Sequence, residues 1–375
     1  MTDTHSSIHY IAKEDLPARP APANTTGFVG WARANLFSSP LNSALTLLSL
    51  LFLAWTLPGI ADWLLFKSVW NADSLKQCRE ISREGACLAV INERLPQFIY
   101  GFYPEHLRWR PNLAFILMVV AIAPVLFEHV PFRKPLLLFS LAYPIVAFFL
   151  LWGGLGLEPV ASDRFGGFLL TVIIGVTGIT MSLPIGILLA LGRQSNLIFI
   201  KAICVGFIEF IRGVPLITLL FVASTLLNYF LPPGTTFDII LRVLIMVTLF
   251  ASAYMAEVIR GGLAALPKGQ YEAADALGLN YWQATRLIIM PQALKISIPG
   301  IVNTFIGLYK DTTLVSVIGL LDPLGIITPI RADQAWNGIV VELYGFVALF
   351  FFLCCFPMSR YSMYLERKLD TGHKR

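Results

Sequence analysis

Apolar runs of about 20 residues alternate with shorter polar segments along almost the whole chain, the pattern of a protein that crosses a bilayer repeatedly. The first four runs fall near 41–60, 112–130, 136–157 and 167–192, the last with Pro184 as a kink. A fifth is entered through Phe207–Pro215 and ends near 231, ahead of a Pro232-Pro233-Gly234 turn. The remaining three lie near 238–262, 299–320 and 336–357. These eight spans predict an all-α polytopic membrane protein with both termini on one side of the membrane.

The polar intervals divide the chain further. Residues 1–40 are polar, carry Pro17, Pro20 and Pro22, and lack the apolar centre of a signal peptide, which predicts a mostly disordered tail. Residues 41–165 form an N-terminal extension of three spans around a mixed-charge insertion, 62–111, whose Arg79-Glu80 and Arg83-Glu84 pairs suggest a small folded segment outside the membrane. Residues 166–375 hold the other five spans and the polar interval 263–298. Within that interval Glu272–Leu277 is Ala-rich, with no Gly, Pro or β-branched residue, and predicts a short helix. Gly278 suits the left-handed position that ends one. Tyr281–Leu294 is helix-compatible, interrupted only by Pro291. Two short helices joined at a glycine would project a knob from the membrane face, and Ala273, Ala274 and Ala276 would let a partner's backbone come close.

Composition agrees with the pattern. Apolar residues make up 56% of the chain and charged residues 14%, against about 45–50% and 25% in soluble domains. The net charge of +5 includes no basic cluster dense enough for nucleic acid. Placing the termini in the cytoplasm puts 17 of the 28 Lys and Arg residues inside and 10 outside, with Lys310 in the bilayer. That is the expected positive-inside bias, and it puts 263–298 in the cytoplasm too. Of the five cysteines, Cys204, Cys354 and Cys355 lie in apolar surroundings and read as packing residues. Cys78 and Cys87 fall in the insertion, where their spacing permits a disulfide in an oxidising compartment without establishing one.

Charged residues inside spans are costly, at about 2.5–3.5 kcal/mol each on insertion scales, so Lys310 and Asp311 need a partner or an aqueous cavity. Two readings stand: with Thr312 and Thr313 they line a route for a zwitterionic solute, or they form a buried ion pair with Glu257 or Arg260. Glu209 and Arg212, like Glu257 and Arg260, are spaced i to i+3 for helical ion pairs, read as interfacial anchors and packing or as a gate. There is no G-x-x-x-x-G-K-[ST] phosphate loop, so the chain does not itself hydrolyse ATP. The absence of catalytic clusters argues against a membrane enzyme.

Glu272-Ala273-Ala274, three residues, Gly278, and then Ile288-x-Met290-Pro291 is similar to the EAA loop of ATP-binding-cassette (ABC) importer permeases, whose usual ending is Ile-x-Leu-Pro. Arg212-Gly213-Val214-Pro215, Ala256-Glu257-x-x-Arg260-Gly261-Gly262, Pro267-x-Gly269-Gln270 and Lys310-Asp311-Thr312-Thr313 resemble the polar amino-acid branch, with Val214 and Thr313 as mild departures. The resemblance covers about 166–370. It implies a five-helix type I importer core and a role for Glu272, Ala273, Ala274, Gly278 and Pro291 in docking an ATPase. It also implies that ATP and Mg are held by that ATPase, with no cofactor in this chain. The implied partners are two cytoplasmic ATPase subunits, a second similar permease, a periplasmic amino-acid-binding protein, an L-amino acid and the lipid bilayer. The long extension resembles general L-amino-acid permeases more than the shorter histidine or glutamine ones. The implied function is an inner-membrane permease subunit of an importer for polar L-amino acids. The alternative is an ion-coupled secondary transporter using Lys310 and Asp311, which would be expected to show internal repeats. Contacts with the binding protein are placed only by position, near 232–237 and 319–335.

Overall fold

The computed structural model describes residues 27–226, 229, 232 and 237–369. Most of the 1–40 tail, residues 233–236 of the 232–237 loop, including most of the Pro232-Pro233-Gly234 turn, and the last six residues lie outside them. The described residues are mostly helical. Among them, seven helices are long and apolar enough to cross a membrane, or eight if one bent pair counts as a single span. The chain divides into two compact units, Met1–Ser68 with Glu84–Ala86, and Val69–Arg83 with Cys87–Arg375.

The first unit holds α1 (Gly27–Asn35) and α2 (Pro40–Ala61), the second prolonged by a π-helical turn, Asp62–Phe66. α1 corrects the expectation of a disordered tail for this part of 1–40. The prolines lie upstream of it, and Phe28 and Trp31, one turn apart, stack with ring centroids 6.0 Å from each other. Ser39 caps α2 by accepting from Asn42 N at 3.1 Å, and Pro40 takes the first helical position, where its missing N–H costs nothing. Lys67 ends the unit between Asp62 and Glu84, at 2.7 and 2.8 Å. These two partners hold its ammonium charged and its pKa raised.

The second unit begins with the insertion. α3 (Leu75–Ile81) is tied by a disulfide between Cys78 and Cys87, with Cα atoms 5.8 Å apart, to the segment that leads into α4 (Ala89–Tyr100). α5 (Trp109–Leu126) and α6 (Arg133–Trp152) form the next two spans, and α7 (Gly167–Arg193) opens the five-span part with Pro184 inside it. The expected fifth span is broken. α8 (Ile198–Gly213) and α9 (Leu216–Thr225) meet at 101°. The cause is Pro215, which has no N–H to give and forces Val214 into extended backbone at φ −108°, ψ 131°. α10 (Ile239–Ala264) packs against α7, α8 and α9. Two short helices, α11 (Lys268–Ala276) and α12 (Tyr281–Ala284), lead into α13 (Met290–Asp311), which also packs on α10. A 3₁₀ segment, Thr312–Ile318, then leads to α14 (Pro323–Ala332) and α15 (Val341–Leu369).

The insertion is bonded to the five-span part rather than hanging free. Leu75 N–H donates to Ala335 O at 2.8 Å, Cys87 N–H to Glu342 Oε1 at 3.1 Å, and Arg94 pairs with Asp333 at 2.5 Å. Phe98, Val90 and Cys78 share one buried cluster with Phe168, Ile327, Trp336 and Leu343. Asp322, fully buried, caps α14 by accepting from Gly325 N at 2.8 Å and Leu324 N at 3.3 Å. Burial pushes its carboxyl up to about 6, against the pull of those N–H donors.

Candidate functional site

The knob expected between the last spans is built as the sequence suggests, with one difference in which face it shows. α11 ends in a Schellman arrangement: Gly278, at φ +70°, donates to Asp275 O at 2.9 Å, and Leu279 N–H donates to Ala274 O at 3.2 Å. A Cβ on Gly278 would meet nothing within 4 Å, so the glycine is required by backbone conformation and not by space. Asn280 opens α12 with a capping box, accepting from Gln283 N at 2.9 Å while its own N–H donates to Gln283 Oε1 at 3.1 Å. A π-helical turn, Thr285–Ile289, carries the chain into α13, with Pro291 at its start. Gln292 Nε2 donates to Gln270 Oε1 at 2.9 Å and ties the two limbs together.

Ala274 is fully buried against its own chain, while Glu272, Ala273, Ala276, Gly278 and Pro291 are exposed. The three alanines therefore do not form one partner-facing surface: Ala274 anchors the knob, and its outer face carries large side chains that the sequence reading did not single out. Leu277 is 72% exposed, Trp282 68%, and Leu287 and Tyr281 are also open. An exposed apolar group rimmed by polar residues marks an interaction surface.

The knob is rigidly mounted. Gly262 on α10 lies so close to α13 that a Cβ there would fall 2.0 Å from Ser297 Oγ and 2.5 Å from Ala293 O. Ser297 Oγ donates to Val258 O at 3.3 Å. Both helices that flank the knob are thus in backbone contact just beyond it.

A network of charges gathers beside this contact. Arg260 Nε donates to Glu257 Oε1 at 2.6 Å, and its Nη2 pairs with the same oxygen. Arg193 Nη1, at the end of α7, reaches Glu257 Oε2 at 3.3 Å and Glu209 Oε1 at 2.9 Å. The Glu257–Arg260 pair forms at its i to i+3 spacing, but the Glu209–Arg212 pair does not. Arg212 turns instead toward Glu257, at 3.6 Å, and lies over the Tyr254 ring at 5.7 Å. Arg193 was missed because nothing in its own segment points to a partner 64 residues away. The network joins α7, α8 and α10 through one carboxylate.

Lys310 and Asp311 take no part in it, so the buried ion pair with Glu257 or Arg260 is not made. Lys310 is exposed on α13 and Asp311 is half-buried, and neither forms an ion pair among the described residues. Thr312 is fully buried with its hydroxyl donating to Tyr309 O at 2.8 Å, and Thr313 donates to Lys310 O at 2.9 Å. The two threonines serve the turn from α helix to 3₁₀.

Comparison with known proteins follows the same lines. The family described as binding-protein-dependent transport system inner membrane component matches residues 182–371. A glutamate/glutamine/aspartate/asparagine transport system permease protein of Rhodobacter capsulatus is 53% identical, covering 98% of this chain and 100% of its own. An inner membrane amino-acid ABC transporter permease protein of Escherichia coli is 47% identical, covering 95% of this chain and 97% of its own. A crystal structure of an amino acid ABC transporter with histidines superposes with a TM-score of 0.48 at 30% identity, over 53% of this chain and 91% of that one.

Proposed function

Because the chain belongs to the binding-protein-dependent transport system inner membrane component family, and is a permease subunit of an amino-acid ABC transporter, we propose that it carries polar L-amino acids inward under the drive of separate ATPase subunits. The observation that carries the mechanism is the knob of residues 268–291, which presents an open face and is locked through Gly262 and Ser297 to both flanking helices. Glu272, Ala273, Gly278 and Pro291 present that face to the ATPase. Ala274 holds it, and Leu277 and Trp282 supply its apolar contact. ATP and Mg belong to the ATPase; closure of its dimer pulls the knob, and α10 and α13 move with it as a rigid pair. Glu257, with Arg193, Glu209, Arg212 and Arg260, forms a latch across α7, α8 and α10 that this pull strains. Lys310 and Asp311, with Thr312 and Thr313 shaping the turn behind them, lie on the amino-acid route.

The carriage of glutamate, glutamine, aspartate and asparagine named for the Rhodobacter relative supports the same solute class here, its chain matching this one over its full length. The assembly would add a second, similar permease and a periplasmic amino-acid-binding protein, with both termini of this chain in the cytoplasm. Nothing in the fold or the relatives supports the ion-coupled alternative.

The test is reconstitution of the permease pair with its ATPase and binding protein in nanodiscs. ATP hydrolysis should rise several-fold on adding L-glutamate, L-glutamine, L-aspartate or L-asparagine, and a cysteine at Leu277 should cross-link to the ATPase. Hydrolysis indifferent to every amino acid, or uptake that continues on an ion gradient after ATP is exhausted, would overturn the proposal.

A further inference from the structure

An open cleft, part polar and part apolar, lies between α13 and α15 that no motif announces. It has a volume of about 170 Å³ and is lined on one side by Pro299, Asn303 and Ile306 and on the other by Ser359, Ser362 and Met363. That holds several waters, each of which occupies about 30 Å³ in the liquid. The side chains of Asn303, Ser359 and Ser362 make no hydrogen bond among the described residues, although all three sit on helices apolar enough to cross a membrane. Asn303 lies inside the seventh expected span, where an unpaired amide would be costly in hydrocarbon, and Ser359 and Ser362 lie just past the end of the eighth, so the three face water, a solute or another protein.

Helical spacing links the cavity to the charged end of α13. Residues 299, 303, 306 and 310 recur at intervals of four, three and four, which places them on one face of the helix. Asn303 and Lys310 are both exposed on that face. Asp311, one residue on, points about 100° away around the helix. Ser359 and Ser362, three apart on α15, meet Asn303 from the opposite side. The face runs from Lys310 back toward Met290, where α13 leaves the knob.

We infer that this cleft is a second station on the amino-acid route, where Asn303, Ser359 and Ser362 hydrogen-bond the solute's carboxylate and side-chain amide or carboxyl after it has left Lys310. The inference rests on the transport reading above and extends it to residues outside every motif. It makes the Pro299–Lys310 face of α13 the route-facing side. A membrane helix that moves with the knob would then carry both stations, so that one stroke changes the exposure of each.

The experiment is cysteine accessibility in the complete complex in nanodiscs, in a Cys204→Ala, Cys354→Ala, Cys355→Ala background that keeps amino-acid-stimulated ATP hydrolysis. That retained stimulation separates a failure here from a failure of the transport reading. Asn303→Cys, Ser359→Cys and Ser362→Cys are labelled with a cationic, membrane-impermeant methanethiosulfonate, with Leu353→Cys as the comparison, exposed about 120° around α15 from Ser359 and opposite Ser362. Labelling at the cavity should be at least tenfold faster than at position 353, and saturating L-glutamine or L-glutamate during turnover should slow it at least threefold. Three positions read one cavity, so loss of any single variant leaves the measurement intact. Labelling as slow as at position 353, cross-linking to the second permease regardless of solute, or fast labelling that no amino acid slows would each overturn the inference.

Discussion

Gly262 and Ser297 face each other where α10 enters and α13 leaves the knob, with room for a hydrogen and not for a methyl: a Cβ on Gly262 would lie 2.0 Å from Ser297 Oγ and 2.5 Å from Ala293 O. The first neighbour is a side chain and the second is backbone. Gly262→Ala should therefore destabilise the folded chain by about 1–3 kcal/mol, the usual range for overpacking a tight contact. Adding Ser297→Ala should recover only part of it, because the Ala293 carbonyl stays in place. Thermal unfolding in detergent, with amino-acid-stimulated ATP hydrolysis measured beside it, checks both. Full recovery in the double variant would show that the helices do not meet through backbone.

At Gly278 backbone conformation, and not space, sets the cost of a side chain. Nothing stands near its missing side chain, so substitution costs only the strain of φ +70° in an L-residue. Gly278→Ala should cost about 1 kcal/mol and Gly278→Asn less, since Asn tolerates the left-handed region better, whereas Gly278→Val should cost most. The order Asn, Ala, Val in loss of coupling between ATP hydrolysis and uptake is the measurable outcome. An equal loss for all three would point to steric contact with the ATPase instead.

The spans and the knob were legible because each is local. Twenty-residue apolar runs, the Ala-rich Glu272–Leu277 stretch and the glycine after it are read from adjacent residues, and the structure keeps them except at the fifth span. The break at Pro215 was equally local, and the rule that a proline ends the helix before it would have found it at the entry to the fifth apolar run. What could not be read is what distant segments do to each other. Arg193 meets Glu257 across 64 positions, Arg94 meets Asp333 across 239, and both pairings are fixed by helix packing. The inward turn of Ala274 depends on the same packing, since composition marks three alanines alike and only the tertiary fold distinguishes them.

Glu257 should be the least replaceable member of the charge network. It pairs with three arginines, with its side chain 21% exposed, whereas Glu209 meets one and is 54% exposed. Removing one partner of a buried pair costs about 3–5 kcal/mol, and exposed pairs are worth about 0–1 kcal/mol. Glu257→Gln should fall between these ranges and Glu209→Gln at the lower. The network's partly open arginines keep the first figure below the buried limit. Raising salt should narrow the gap between wild type and Glu209→Gln and leave that for Glu257→Gln largely intact. Unfolding midpoints of the three proteins at low and high salt decide it.

The insertion should depend on its disulfide. Closing a loop of about ten residues removes on the order of 2.5–3 kcal/mol of unfolded-state entropy in the chain-entropy account. The bridge also sets the backbone of Cys87, whose N–H donates to Glu342 on α15. Cys78→Ser with Cys87→Ser should make Leu75–Arg94 the first site of cleavage in limited proteolysis, and adding a reductant to the wild type should reproduce that pattern. Protection unchanged by either treatment would mean that Arg94–Asp333 and the Phe98 cluster hold the segment unaided.

Asp322 gives the fold a pH dependence whose sign follows from burial. Its carboxyl titrates at about 6 in the folded chain and near 3.9 when unfolded, so the folded state binds the proton more tightly. The associated stability is fully present below about pH 4 and is lost as pH rises through 6. With each pH step of separation worth about 1.4 kcal/mol, the whole change is on the order of 3 kcal/mol. Asp322→Asn keeps an acceptor for the N–H groups of Leu324 and Gly325 and removes the titration. Wild type should therefore gain stability relative to Asp322→Asn when pH is lowered from 7.5 to 5, although acidification destabilises the protein as a whole through its paired carboxylates. Comparing the two proteins at each pH cancels that common loss. A difference between their unfolding midpoints that does not vary between pH 5 and 7.5 would show that the Asp322 carboxylate is already well solvated or paired.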